Sequence, residues 1–120
     1  MAKIIAIKEN YLFSKLYSKG KKASGKYIVV YALRNYKTAD TRLGITTGKK
    51  IGKAVQRSRA RRLIRESFRL LCAENAWKKP WWIVAVARSS IAEKGIKMDD
   101  VRKDMAKQIA KLELFAEKEN

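Results

Sequence analysis

One segment, residues 48–69, constrains the fold of this chain more than any other part: GKKIGKAVQRSRARRLIRESFR. We place it on a helix that begins at about Ala54 and turns about 100° per residue. Its apolar side chains then share one face, which consists of Ala60, Ile64, Phe68 and Leu71. The segment therefore predicts a helix that packs on a core with one face and presents cations beside it.

The charges of this segment are one-sided. Nine lysines and arginines stand against a single acid, Glu66. A helix whose charges only keep a protein soluble would normally carry acids spaced to pair with its bases. The polar face instead lines up a serine with four arginines: Ser58, Arg61, Arg62, Arg65 and Arg69. Because a guanidinium can donate two parallel hydrogen bonds to phosphate oxygens, this face predicts binding to a polyanion.

Glycines and lysines before the helix resemble a phosphate-binding loop, but their spacing is wrong. A Walker loop requires G-x-x-x-x-G-K followed by Ser or Thr. GITTGKK has one spacer too few, and the lysine in GKKIGKA is followed by Ala54. We interpret the lysines of this stretch as charges that neutralise phosphates ahead of the helix: Lys49, Lys50 and Lys53.

The composition of the whole chain agrees with an anionic partner. Its 120 residues suit a single domain, residues 1–120, with one core. The 29 lysines and arginines against 11 acids give a formal charge of +18, and an excess of this size usually has an anionic partner. Because 47% of the residues are hydrophobic and lie in organised runs, we expect a folded cationic domain.

Missing residue types exclude several classes of function. The chain has no histidine and one cysteine, Cys72, so neither a zinc site nor a histidine-activated nucleophile can be assembled. Cys72 falls near the apolar face of the basic helix and is predicted to be a buried, inert thiol.

The sequence shows no membrane or secretion signal. No segment approaches the ~18 apolar residues of a membrane span, and no secretory-type apolar run opens the sequence. With a single unpaired cysteine, we expect a cytoplasmic protein without membrane contacts.

Periodicity predicts two further helices. The first spans about Asn10 to Ser18, with Asn10 as its N-cap, and the basic helix itself runs to about Ala76. A final helix covers residues 99–118. Its apolar stripe consists of Val101, Met105, Ile109, Leu112 and Phe115.

Runs of β-branched and aromatic residues predict three strands, at residues 27–35, 41–47 and 81–88. The first two strands are expected to form a hairpin through loop 35–40. Residues 21–26 are expected to form a connection between the first helix and the first strand. Gly44 indicates a bulge or a close backbone approach, and alternation places Val29 and Tyr31 on one face. The third strand should run parallel to a neighbour. The predicted fold is α+β, an α-β-β-α-β-α sandwich with a small, mainly antiparallel sheet, a βαβ crossover and packed helices.

The basic segment resembles the signature of the protein subunit of bacterial ribonuclease P, K-x-x-G-x-A-V-x-R-N-x-x-K-R-x-x-R. The matching positions are Lys49, Gly52, Ala54, Val55, Arg57, Ser58, Arg61, Arg62 and Arg65. Ser58 stands where the family has Asn, Arg61 where it often has Lys, and Lys53 where Asn is common. Similarity extends to YLFSKLYSKG, YIVVYAL, RLGITTGKKIG and IVAVAR, although Trp82 stands where an acid commonly precedes the last strand.

The resemblance implies a division of labour between protein and RNA. In the family, a catalytic RNA subunit holds the Mg²⁺ ions and cleaves precursor tRNA, and the βαβ crossover is left-handed. The protein binds that RNA through its basic segment and the single-stranded 5′ leader through a cleft between the first helix and the sheet. The positions that match the cleft are Phe13, Tyr17, Val29 and Tyr31. Neither a small-molecule ligand nor a metal site in the protein is implied.

Other interpretations stay open at this stage. Phe13 and Tyr17 could pack in the core instead of stacking on bases. A ribosomal-type structural RNA-binding protein would show the same charge and the same lack of catalytic residues. A protein-only nuclease would need clustered carboxylates, and of the acids only Asp99, Asp100 and Asp104 lie close together, where they indicate a helix start.

Overall fold

The structure is a computed structural model that describes residues 4–117. Within this range the chain forms five strands and three α-helices, joined in two places by short 3₁₀ turns at Lys49–Ile51 and Ser89–Ala92. The elements in chain order are β1 (Ile5–Ala6), α1 (Asn10–Lys19), β2 (Lys21–Ser24), β3 (Ile28–Arg34), β4 (Arg42–Thr46), α2 (Ala54–Glu74), β5 (Trp81–Ala87) and α3 (Met98–Lys111). No helix in the described range is long and apolar enough to cross a membrane.

The strands form one mixed sheet in the order β1-β4-β5-β3-β2. β5 pairs parallel with β4 and antiparallel with β3, which confirms the α+β class and the parallel strand after the crossover. The predicted hairpin between β3 and β4 is wrong, because β5 lies between them. The 21-residue helix α2 supplies the long connection that a parallel pair requires, and β5 takes the centre because it is apolar on both faces.

The two edge strands were not predicted from the sequence. Residues 21–24, interpreted as a connection, form β2 and pair antiparallel with β3. Only Ala23 in this strand is buried, and the exposed lysines Lys21 and Lys22 suit an edge that must not pair with another chain. At the opposite edge, β1 pairs parallel with β4 over two residues.

Helices cover both faces of the sheet. α1 packs on one face, where Leu12 and Leu16 join Trp82 and Val84 of β5 in a small core. α2 and α3 pack on the other face over the larger core. The apolar face predicted for α2 is confirmed, because its four residues are at most 2% exposed: Ala60, Ile64, Phe68 and Leu71. α2 therefore points its basic side away from the sheet.

The last helix is shorter than predicted. Val101, Met105 and Ile109 are buried as expected, but α3 ends at Lys111. Glu113 adopts a positive φ of 58°, and the chain then turns back. Phe115 pairs with Trp77 and stacks on its ring at 5.0 Å. The predicted end at residue 118 lies outside the described residues.

Candidate nucleic-acid interface

A fixed turn leads the chain into the basic helix. Ile51 is 4% exposed and anchors the 3₁₀ turn in the core, which leaves Lys49 and Lys50 in solvent. Gly52 has φ 131°, a conformation that L side chains rarely adopt, so glycine is required there. The backbone N–H of Lys53 donates to Oε1 of Gln56 at 2.8 Å, which caps the first turn of α2.

The arginines of α2 divide into two groups. Arg61, Arg62 and Arg65 are exposed, Arg57 is half-buried, and within residues 4–117 none of the four has a carboxylate within 4.0 Å. We call these four residues the arginine row. Ser58 lies exposed among them.

The remaining two arginines have structural partners. Arg69, which the helical projection placed in the basic face, forms an ion pair with Glu66. Arg59 donates to the backbone carbonyl of Ile96 and so ties α2 to the segment before α3. Within residues 48–69, all of which the structure describes, the cations other than Arg59 without a carboxylate partner are therefore those of the arginine row and the three lysines before the helix.

The four positions matched to the leader cleft lie together on the α1 face of the sheet. The ring of Tyr17 meets the ring of Tyr31 edge to face, with centroids 5.2 Å apart and an interplanar angle of 81°. Its hydroxyl lies 2.5 Å from Oγ1 of Thr46, so α1 is fixed to β4. Tyr17 is nevertheless 42% exposed. Val29 and Tyr31 are half-buried on the same face, as alternation predicted.

Phe13 lies beside a groove that two members of the arginine row also line. This groove has a volume of about 370 Å³ and lies between α1 and α2, and Gly44 and the side chains of Arg61 and Arg65 also take part in it. The backbone approach predicted at Gly44 is confirmed, because a Cβ at this position would lie 2.6 Å from Cζ of Phe13. An aromatic ring and two guanidiniums therefore border one groove.

A second groove continues the sheet face beyond Tyr17. It has a volume of about 430 Å³, and Val29 and Val86 line it together with Thr46, Lys50 and Arg88. Thr46, Val86 and Arg88 were missed at the sequence level. They meet only because β4, β5 and β3 pair in the observed register, Thr46 with Val86 and Val86 with Val29. Lys50 and Arg88 therefore place positive charge beside this second groove, as Arg61 and Arg65 do beside the groove that Phe13 lines.

The acidic and cysteine side chains of the described residues do not gather at one site. Residues 4–117 contain no group of three or more His, Cys, Asp or Glu that could hold a metal ion. Cys72 is half-buried, and burial raises the pKa of its thiol to about 11, so it stays protonated at neutral pH. The arrangement of cations and aromatic rings suits the binding of an anionic, partly aromatic polymer.

These features define a class: a small basic α+β domain with aromatic side chains on one face of its sheet and a row of arginines on a helix that covers the other face. Residues 1–113 match the family model described as Ribonuclease P, and the chain belongs to that family. The ribonuclease P protein component of Thermoanaerobacter pseudethanolicus is 41% identical over 114 residues, which cover 95% of this chain and 94% of that protein.

Solved structures of the family share the fold. The RNase P protein of Staphylococcus aureus superposes with a TM-score of 0.80 at 27% identity, over 95% of this chain and 100% of that one. The RNase P protein of Thermotoga maritima gives a TM-score of 0.70 at 26% identity, over 88% of this chain and 94% of that one. The resemblance seen in the sequence is thereby confirmed.

Proposed function

We propose that this chain is the protein subunit of a cytoplasmic ribonuclease P ribonucleoprotein, in which it assists endonucleolytic removal of the 5′ leader from precursor tRNA. Membership of the ribonuclease P family supports this role, and the curated relatives carry the name ribonuclease P protein component. The catalytic centre belongs to an RNA subunit in this proposal. The donor atoms of the protein are consistent with that division, because they form no cluster suited to Mg²⁺ among residues 4–117.

The basic segment is proposed to dock on the phosphates of the catalytic RNA. Its contact residues would be Lys49, Lys50, Lys53, Arg57, Ser58, Arg61, Arg62 and Arg65. Within residues 4–117 the arginine row forms no ion pair with a carboxylate, which supports this role, since no such ion pair must be broken when a phosphate binds. Neutralised phosphates repel one another less, which would help the RNA to hold Mg²⁺, the ion that activates water and stabilises the leaving oxygen there.

The sheet face is proposed to hold the 5′ leader. Phe13, Tyr17, Val29 and Tyr31 would contact its bases, because stacking on aromatic rings tolerates any base and leaders of different precursors differ in sequence. The observation that carries the proposal is the groove shared by Phe13, Arg61 and Arg65. A base on the ring would place its phosphates within reach of the guanidiniums.

The test is cleavage of a precursor tRNA by its cognate catalytic RNA at low Mg²⁺. The protein is added as wild type, as Arg61→Ala/Arg65→Ala, or as Lys107→Ala/Lys111→Ala. The last variant removes the same charge from exposed positions on α3, far along the chain from the arginine row.

We expect wild type and the α3 variant to restore correct 5′ maturation and the arginine variant to fail. If wild type binds structured RNA tightly but does not stimulate cleavage, the proposal is wrong and a ribosomal-type binding protein explains the charge better. Cleavage by the purified protein after RNA is removed would also contradict it.

A further inference from the structure

A second group of exposed aromatic and basic side chains lies where α1 begins. Tyr36 is 82% exposed and Tyr11 is 53% exposed, more than any other tyrosine in residues 4–117. A cation contacts each ring. Nζ of Lys37 donates to the hydroxyl of Tyr11 at 2.5 Å, and the guanidinium of Arg34 lies 5.0 Å from the centroid of Tyr36. We call Tyr11, Lys15, Arg34, Tyr36 and Lys37 the loop patch.

The loop that carries Tyr36 is held in one conformation by Asn35. The Asn35 side chain is 2% exposed, and its amide donates to Oγ1 of Thr38 at 2.6 Å and to the carbonyl of Asp40 at 2.9 Å. Its Oδ1 accepts the N–H groups of Lys37 and Thr38 at 3.0 and 3.1 Å. The turn therefore displays Tyr36 to solvent from an ordered backbone, and a flat partner would bind it with little further loss of loop entropy.

The charges of the loop patch are positive and largely uncompensated. Arg34 and Lys37 have no carboxylate within 4.0 Å in the described chain. The nearby carboxylate of Asp40 is bound by Arg42 at 2.8 Å and by the hydroxyl of Thr38 at 2.7 Å. Nζ of Lys15 lies 5.9 Å from the ring centroid of Trp82. Glu9 lines the same pocket as Tyr11 and Lys37 and attracts Lys37 electrostatically, but it forms no ion pair within 4.0 Å in residues 4–117. The three cations of the loop patch outnumber this acid, so an anion would meet net positive charge.

We propose that the loop patch binds single-stranded RNA, namely nucleotides of the 5′ leader upstream of those held in the sheet cleft. This inference rests on the proposed function. Tyr11 and Tyr17 are six residues apart on α1, so these two positions lie about 9 Å apart along the helix axis, and the loop patch adjoins the cleft. Tyr11 and Tyr36 stack on unpaired bases, and Lys15, Arg34 and Lys37 contact the phosphates. A duplex is a poor partner, because its bases are not open to stacking.

The experiment measures the affinity of the holoenzyme for a series of precursor tRNAs whose leader is shortened one nucleotide at a time. Tyr11→Ala/Tyr36→Ala is compared with Tyr11→Phe/Tyr36→Phe, which keeps both rings, and with the cleft variant Phe13→Ala/Tyr31→Ala. Thermal unfolding checks that all three variants fold.

We expect the alanine variant of the loop patch to bind long-leader precursors about tenfold more weakly for each stacked base lost. This loss of affinity should disappear once the leader is too short to extend beyond the cleft to the loop patch. The phenylalanine variant should bind every precursor as wild type does. The cleft variant should lose affinity for short and long leaders alike.

Two results overturn the inference while leaving the proposed function intact. One is full affinity of the Tyr11→Ala/Tyr36→Ala variant for every leader, with the cleft variant still impaired. The other is a loss that does not depend on leader length, which would place the contact on the tRNA body or the RNA subunit. If the cleft variant also binds every leader as wild type does, leader binding by this protein fails as a whole.

Discussion

The ring of Phe13 lies directly on the backbone of Gly44, so closely that a Cβ on Gly44 would fall 2.6 Å from Cζ of Phe13. Gly44 has no positive φ, so space and not backbone conformation requires glycine at this position. The contact lets α1 approach β4 and sets the depth of the groove that Arg61 and Arg65 border on the other side.

Replacement of Gly44 by alanine should therefore displace the Phe13 ring. We expect the free energy of unfolding to fall by about 1–3 kcal/mol, the usual cost of overpacking, and leader affinity to fall with it. Gly48→Ala is the matched control, since nothing lies within 4 Å of a Cβ there and its φ is −86°. Denaturant unfolding of both variants gives the comparison, and equal stability of the two would contradict the close packing.

The arginine row should determine how strongly RNA binding depends on salt. Each phosphate neutralised contributes about 0.7–0.9 to the slope of log K against log salt. If Arg61 and Arg65 each contact one phosphate, Arg61→Ala/Arg65→Ala should reduce the slope by about 1.5. Lys107→Ala/Lys111→Ala removes the same charge and should leave the slope almost unchanged. Titration of the catalytic RNA at several salt concentrations measures both, and equal slopes would exclude a local contact at the arginine row.

The features that could be predicted from the sequence are local ones. The apolar face of α2 depends only on residues three and four positions apart, and Ile64 and Phe68 are buried as that spacing requires. The start of α2 at Ala54 was predicted for the same reason. The arginine row is likewise a property of one helix.

The features that were missed depend on contacts between distant segments. Neighbouring strands in a chain usually pair, so β3 and β4 were expected to form a hairpin, whereas β5 inserts between them through the α2 crossover. The ion pair between Arg69 and Glu66 was not predicted, although the two residues are three positions apart. The helical projection grouped residues by the face of the helix that they share and did not consider pairs of opposite charge. Thr46 joins the cleft through the pairing of β4 with β5 and through its hydrogen bond to Tyr17, a residue 29 positions earlier.

Asp104 should stabilise the fold through a contact that the sequence interpretation did not assign. Its carboxylate accepts the backbone N–H groups of Lys26, Tyr27 and Ile28 at 2.9, 2.9 and 3.2 Å, and so fixes the turn between β2 and β3 on α3. Asp104→Ala leaves three backbone N–H donors, two of them partly buried, without this acceptor. We expect the free energy of unfolding to fall by about 2 kcal/mol, since water can replace part of the contact.

The matched control for Asp104 is Asp99→Ala on the same helix. Asp99 is exposed and pairs with Arg102 and Lys103, which hold the pKa of its carboxyl below its usual value. Exposed ion pairs of this kind contribute about 0.2–1 kcal/mol, so the control should lose less stability. Urea unfolding at neutral pH compares the two variants, and a loss at Asp99 as large as at Asp104 would contradict the anchoring role.

Cys72 should react slowly with alkylating reagents while the protein is folded. Burial raises the pKa of its thiol from an ordinary 9.0 to about 11, against a smaller opposing effect of a hydrogen bond with Trp77. The thiolate is the reactive form, so at pH 8 the raised pKa of the thiol lowers the reaction rate by about 100-fold. The rate for the folded protein should rise about tenfold per pH unit up to about pH 11, whereas that for the urea-unfolded protein should level off near pH 9.

Trp77 lines the same cavity as Cys72, so Trp77→Ala should open the site and raise the alkylation rate of Cys72 toward that of the unfolded chain. Equal rates for the folded and unfolded wild-type protein at pH 8 would show that the thiol is not shielded by the packing around Trp77.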